Sequence, residues 1–241
     1  MLNQEFRVQR IAWGDAGFRS ARDAEFRLFG VANSFVTDKD LAAHEMVIYR
    51  PYEKKSEFYV AYGVDAPATS PIAIIRFIRF DPERGLDSFC TLKDARSYSA
   101  DGGAPACYLD LQWDSFFGRT DPSTIGELAT QAVDVAHRRG GIVEHLWDAI
   151  VVVSEREGVS MWTVALVVPL FRWYKAVFPN AIQAIGRVMP QYVGADSIPA
   201  VVRIDHPEIK EYVRRFRAGS WKGIATRACR LVASQATEQE A

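Results

Sequence analysis

The sequence predicts a mixed α/β fold in which a mostly antiparallel central sheet carries helices on both faces. Three observations lead there. Short β-branched and aromatic runs follow one another closely before residue 81, as in antiparallel strands joined by turns. A long amphipathic segment then separates two apolar runs, which is the signature of a strand–helix–strand unit. Finally, the run Ile72–Phe80 has so few polar positions that both faces of that strand must be covered.

Taken in order, Phe6–Ala12 alternates apolar and polar side chains and reads as a first strand. Phe18–Phe29 places Phe18, Ala21, Phe26, Leu28 and Phe29 on roughly one helical face, and Gly30 is expected to stop that helix. Glu45–Tyr52 and Glu57–Tyr62 read as a hairpin across the charged turn Glu53-Lys54-Lys55-Ser56. Ile72–Phe80 follows as a central strand. Residues 81–124 show no clear period and contain Pro82, Gly85, Gly102, Gly103, Pro105, Gly118 and Pro122, so a long functional or mobile loop is expected.

Order resumes with a strand at Thr124–Val135 and, after Gly140-Gly141, a helix at Ile142–Arg156 ended by Gly158. Trp162–Val168 reads as a buried strand. Pro169 suits the first turn of a short helix running to Val177, which Pro179 closes. Ile182–Val188 and Ala200–Ile204 read as the last strands. Pro207–Arg217 and Gly223–Ser234 form a helical, polar tail, so the expected organisation is one domain over 1–206 and a basic tail over 207–241.

Composition bounds the function. The chain has 241 residues, 49% hydrophobic and 24% charged, the profile of a folded domain rather than a disordered or fibrous chain. The formal net charge of −1 gives no global basic field for nucleic acid. That figure is a cancellation: Glu208–Arg230 carries a net +5. Such a tail would suit an acidic carrier protein, CoA phosphates or weak contact with an anionic membrane surface, and equally plain solvation. Cys90, Cys107 and Cys229 stand in no CxxC arrangement, and His44, His137, His145 and His206 are scattered, so neither a disulfide framework nor a metal site is expected. No apolar stretch approaches a membrane span, and the first residues lack the apolar core of a signal peptide, so a cytoplasmic setting is expected.

Four groups of residues are candidates for chemistry. Arg138-Arg139-Gly140-Gly141-Ile142 lies between a strand and a helix, where free N–H groups and the positive helix end favour a phosphate; an ordinary solvated turn has the same composition. Glu127, amid Leu128, Ala129 and Ala132, is either a buried carboxylate able to take a proton or a strand-edge side chain facing water. Tyr174 sits in an aromatic-rich segment where core packing competes with an acid role. Trp113, Phe116 and Phe117 lie in the long irregular segment and suit a lid over an apolar pocket.

A strand, an Arg/Gly turn and a helix set downstream of antiparallel strands resemble the acyl-CoA binding core of the GNAT acyltransferase superfamily. Gly126-Glu127-Leu128-Ala129-Thr130-Gln131-Ala132-Val133 resembles more particularly the Glu-led strand of N-acyl-homoserine-lactone synthases and long-chain N-acyl amino acid synthases. Arg22 and Phe26 match an Arg-xxx-Phe pattern on their first helix, Arg76 and Arg79 match a central-strand arginine, and Glu45 matches one half of an acidic pair. Ile48 stands where the second acid falls, and Thr130 where an arginine follows the glutamate, which leaves the acceptor open.

The resemblance implies an N-acyltransferase with no permanently bound cofactor. It would use acyl-CoA or acyl-phosphopantetheine as co-substrate, with an acyl carrier protein as a partner and an amine such as an amino acid or homoserine-lactone-like molecule as acceptor. Arg138–Ile142 would hold the phosphate, Glu127 would act on the amine, Tyr174 on the leaving thiolate, and Arg22, Phe26, Glu45, Arg76 and Arg79 would shape the acceptor side. The competing expectation is a non-catalytic acyl-carrier or acyl-lipid binding module that keeps the fold.

Overall fold

A computed structural model describes residues 6–63, 70–138 and 141–219. Eight strands form one sheet: β1 (Phe6–Ala12), β2 (Ser56–Gly63), β3 (Pro71–Ile78), β4 (Ile125–Val133), β5 (Met161–Val167), β6 (Ile182–Ala184), β7 (Met189–Tyr192) and β8 (Ala195–Arg203). Their spatial order is β1-β2-β3-β4-β5-β8-β6, with β7 paired to β8 off that path. Every neighbouring pair is antiparallel except β4 and β5. A parallel pair needs a crossover, and α5 (Ile142–Arg156) supplies it.

Alternation along β2 and β3 explains why both faces carry helices. Phe58, Val60, Tyr62 and Ile74 pack with Phe18, Ala21, Ala24 and Leu28 under α1 (Phe18–Glu25). The intervening Tyr59, Ala61, Ala73, Ile75 and Phe77 pack on the other face with Leu146, Trp147 and Ile150 of α5. That second core also takes in α6 (Val168–Val177) and Ile209, Tyr212 and Val213 of α7 (Pro207–Arg217). A third cluster sits on the α1 face at the far end of the sheet, where Phe89 and Leu92 meet Met161, Ile185 and Val201. Each such fully buried side chain contributes about 1.5–3 kcal/mol.

Several expected elements differ. Glu45–Tyr52 forms no strand; Val47–Lys55 is a run of 3-10 turns, and β2 makes its pairs with β1 and β3. Met46, Tyr49 and Tyr52, three residues apart, are all buried, which is the 3-10 period, and Pro51 suits that backbone. The first helix does not end at a glycine stop. It widens into a π-helical turn at Phe26–Gly30 and a 3-10 turn at Val31–Asn33, and the chain reverses at Ser34 with φ 59°. Gly30 is required for close packing: a Cβ there would lie 2.7 Å from Val36 Cγ1 and 2.8 Å from the Met46 sulfur.

Residues 81–124 are not an irregular loop. They hold α3 (Cys90–Arg96) and α4 (Leu111–Phe117), with short 3-10 turns between. Trp113, Phe116 and Phe117 all lie on α4, where their rings pack on one another, and Phe117 is buried. Of the expected strand Ile182–Val188 only Ile182–Ala184 pairs, as β6, and β7 begins beyond it at Met189. A short α2 (Asp38–Ala43) precedes the 3-10 run. The expected tail helix Gly223–Ser234 lies outside the described residues, as do Arg139 and Gly140.

Candidate active site

The site begins with a pairing that stops. β4 and β5 are hydrogen-bonded neighbours only over Ile125–Glu127 and Met161–Thr163, at the start of each strand. Beyond that point they splay, and Leu128–Gln131 of one face Val164–Val167 of the other across a cavity of about 110 Å³. On the other side β4 keeps its pairing with β3 through a bulge: Arg76 opposes Thr130 and Phe77 opposes Leu128, leaving Ala129 without a partner. Gly126 is obligatory next to the last paired residue, because a Cβ there would lie 2.1 Å from the Phe77 ring.

Glu127 is the last residue of β4 still paired to β5, and it is 1% exposed. Its Oε1 accepts from the Thr91 backbone N–H at 3.0 Å and the Thr91 hydroxyl at 2.9 Å, both from the first turn of α3. Its Oε2 has no hydrogen-bond partner among the described residues. Burial pushes the carboxyl up to about 8, against the opposing pull of the Thr91 donors. A group poised there and lining the cavity has the properties of a general base.

Tyr174 lies on α6, on the opposite face of the sheet, and lines the same cavity. Its ring stacks on Trp147 at 5.1 Å. Trp147 Nε1 donates to Gln131 Oε1 at 2.8 Å, which fixes the amide so that Gln131 Nε2 donates to the Tyr174 hydroxyl at 3.1 Å. An indole N–H only donates, so the chain runs in one direction and leaves the Tyr174 proton to point elsewhere. Burial raises the phenol well above its ordinary range, keeping it protonated.

On that same face the cavity continues into an open cleft of about 810 Å³ through Gln131, Trp147, Leu170 and Tyr174. Its far end is the start of α5. Gly141 takes φ 76°, a left-handed conformation suited to glycine, and Ile142 begins the helix, itself buried. Arg138 lines the same cleft and reaches Val133 O and Asn33 Oδ1 at 3.3 and 3.4 Å. The helix dipole and a guanidinium at one end, where Glu144 also lines the cleft, with an apolar channel leading to a splayed sheet, suit a long molecule with an anionic head and an uncharged tail.

The remaining sequence candidates line neither cavity nor cleft. The Arg76 guanidinium is buried, paired with Glu25, and held over the rings of Phe58 and Tyr49 at 4.5 and 5.0 Å. Arg79 pairs with Glu57 and Glu157 near Arg10. Arg22 bridges Glu45 at 2.7 Å and Glu53 at 3.0 Å, with Arg50 also on Glu45. Phe26 packs edge-on against His44. Sequence reasoning missed Thr91, Tyr49, Gln131, Trp147 and Tyr192. Only Gln131, polar inside an apolar strand, carried a signal.

No protein-family profile matches the chain, and no curated protein matches its sequence. Solved structures do match in shape. The CoA-dependent acyl-homoserine lactone synthase BjaI, determined with MTA, is similar over 93% of this chain and 99% of its own, with a TM-score of 0.55 and 13% identity. FeeM, an N-acyl amino acid synthase from uncultured soil microbes, is similar over 84% of this chain and 94% of its own, with a TM-score of 0.52 and 12% identity. The chain has the GNAT acyltransferase fold. At these identities the likeness establishes the GNAT architecture and leaves the chemistry to the residues.

Proposed function

We propose that the protein is a GNAT-type N-acyltransferase that moves an acyl group from a CoA or phosphopantetheine thioester to an amine. The observation that carries this reading is the unpartnered Glu127 Oε2, buried where the splayed strands open one sheet face to the other. The thioester lies in the open cleft, with its phosphate at Gly141, Ile142 and Arg138, and Arg139 and Gly140 adjoining them in sequence. Its acyl carbonyl enters the gap between β4 and β5. The amine approaches from the opposite face, where Glu127 waits.

In the reaction, the amine nitrogen attacks the thioester carbonyl and gives a proton to Glu127. The C–N bond forms, the C–S bond breaks, and the thiolate leaves toward the α5 face, where the Tyr174 hydroxyl donates a hydrogen bond to its negative charge; solvent then protonates it. Orientation of two reactants on opposite sides of one gap supplies much of the acceleration, and no covalent enzyme intermediate is needed. BjaI is described as CoA-dependent and FeeM as an N-acyl amino acid synthase, so a thioester donor and an amine acceptor are the chemistry that the shared fold supports. Arg22, Phe26, Glu45, Arg76 and Arg79 then act behind the acceptor wall, as its scaffold.

The test is the release of free thiol from an acyl-CoA series in the presence of an amine panel, with the amide product identified by mass. Amine-dependent release with a matching amide supports the reading. Tight binding of acyl-CoA without release would instead support the module that only binds thioesters, a reading favoured by the arginines being tied up in internal ion pairs.

A further inference from the structure

We propose that the acceptor is a primary amine carried on an uncharged alkyl or aryl body that lacks a carboxylate, an inference that rests on the acyl-transfer reading above. The part of the cavity on the Glu127 face is walled by Phe29, Phe35, Tyr49, Tyr192 and Val193, together with Thr91. Among the described residues, no lysine or arginine lines it. The arginines nearest in sequence to the acceptor patterns all have carboxylate partners of their own: Glu25 for Arg76, Glu57 and Glu157 for Arg79, and Glu45 and Glu53 for Arg22.

The hydroxyl groups of this wall point the same way. The Tyr49 hydroxyl donates to Ala129 O at 2.9 Å, and that of Tyr192 donates to Asp94 Oδ2 at 2.9 Å. Thr91 donates to Glu127 at 2.9 Å, Thr130 to Glu25 at 2.6 Å and Ser197 to Ala195 O at 3.1 Å. With these protons already given away, and with Glu127 ionised as its role as base requires, the wall offers a guest lone pairs, aromatic faces and the free Glu127 oxygen. All three are matched by an N–H or an ammonium. None of them suits a carboxylate, which needs donors.

Geometry sharpens the mismatch. In an α-amino acid the carboxylate is attached to the carbon that bears the nucleophilic nitrogen. With that nitrogen at Glu127, the two carboxylates would be held a few ångströms apart beside a buried carboxyl, and one would be left without a partner. The same argument disfavours any acceptor whose acid lies next to its amine. An alkyl or arylalkyl amine meets no such penalty and buries its body against the aromatic wall.

Matched pairs that differ only by the carboxylate provide the experiment: tyramine against tyrosine and phenethylamine against phenylalanine, with amide formation from a series of straight-chain acyl-CoA thioesters followed on the wild-type protein. The expected result is that the decarboxylated member of each pair has kcat/KM at least about 100-fold higher, the scale on which an unpaired buried group is rejected. Equal or better use of the amino acids, with acyl transfer intact, would overturn the acceptor assignment alone. A protein that releases no thiol with any amine would overturn the acyl-transfer reading and this inference with it.

Discussion

Glu127 sits at the end of β4's pairing with β5, with two hydrogen bonds on one oxygen and none on the other. A carboxyl raised from its ordinary value to about 8 also affects stability. Its folded pKa exceeds its unfolded one, so its stabilising contribution is complete below about pH 4.5 and is lost as pH rises through about 8. Glu127→Gln removes that dependence. In urea unfolding at pH 6 and pH 9, the variant should lose less stability between the two than wild type, by on the order of a few kcal/mol. An unchanged difference would show that the carboxyl titrates normally. Gly126, one residue earlier, gives a steric counterpart: Gly126→Ala should destabilise by about 1–3 kcal/mol through displacement of the Phe77 ring, read as a lower urea midpoint.

At the scale of elements, the cleft follows from two local departures, the bulge at Ala129 and the short pairing of β4 with β5, and its donor end follows from the turn into α5. Arg138→Ala should raise KM for an acyl-CoA several-fold, leave kcat nearly unchanged, and leave KM for the corresponding phosphate-free pantetheine thioester unaffected. Equal effects on both thioesters would place the phosphate elsewhere. The helices around this cleft were legible because their limits are written in local chemistry. Gly141 and Gly158 bracket α5, Pro169 and Pro179 bracket α6, and Pro207 opens α7. The run 47–55 was not, since the aromatic and β-branched residues that suggested a strand follow a period of three only when Met46, Tyr49 and Tyr52 are seen buried together. Residues 81–124 hid α3 for a similar reason: its seven residues are too few to show a helical period, yet they deliver Thr91 to Glu127.

Across the whole molecule, sequence could show which arginines the chain carries but not what they face, because ion-pair partners lie far apart along it. Arg76 meets Glu25 from 51 residues away, with Ser56 and Thr130 completing a buried network directly behind the cavity wall. Arg76→Met should therefore cost about 3–5 kcal/mol by stranding Glu25, whereas Arg76→Met combined with Glu25→Leu should recover most of that loss in chemical unfolding. If the double variant were as unstable as the single one, the network would not be an isolated pair. Glu127 and Tyr174, by contrast, were legible as candidates from the sequence, and only the third dimension supplied Thr91, the free oxygen and the placing of Tyr174 on the same cavity. The most direct test of that arrangement is the pH dependence of kcat/KM for amide formation by wild type and Glu127→Gln, using the best amine and thioester. The base assignment predicts a wild-type rate that rises about tenfold per pH unit and levels near the raised pKa of about 8, with Glu127→Gln lower by about 100- to 10,000-fold and lacking that limb. A Glu127→Gln protein with the wild-type rate and the wild-type profile would contradict it.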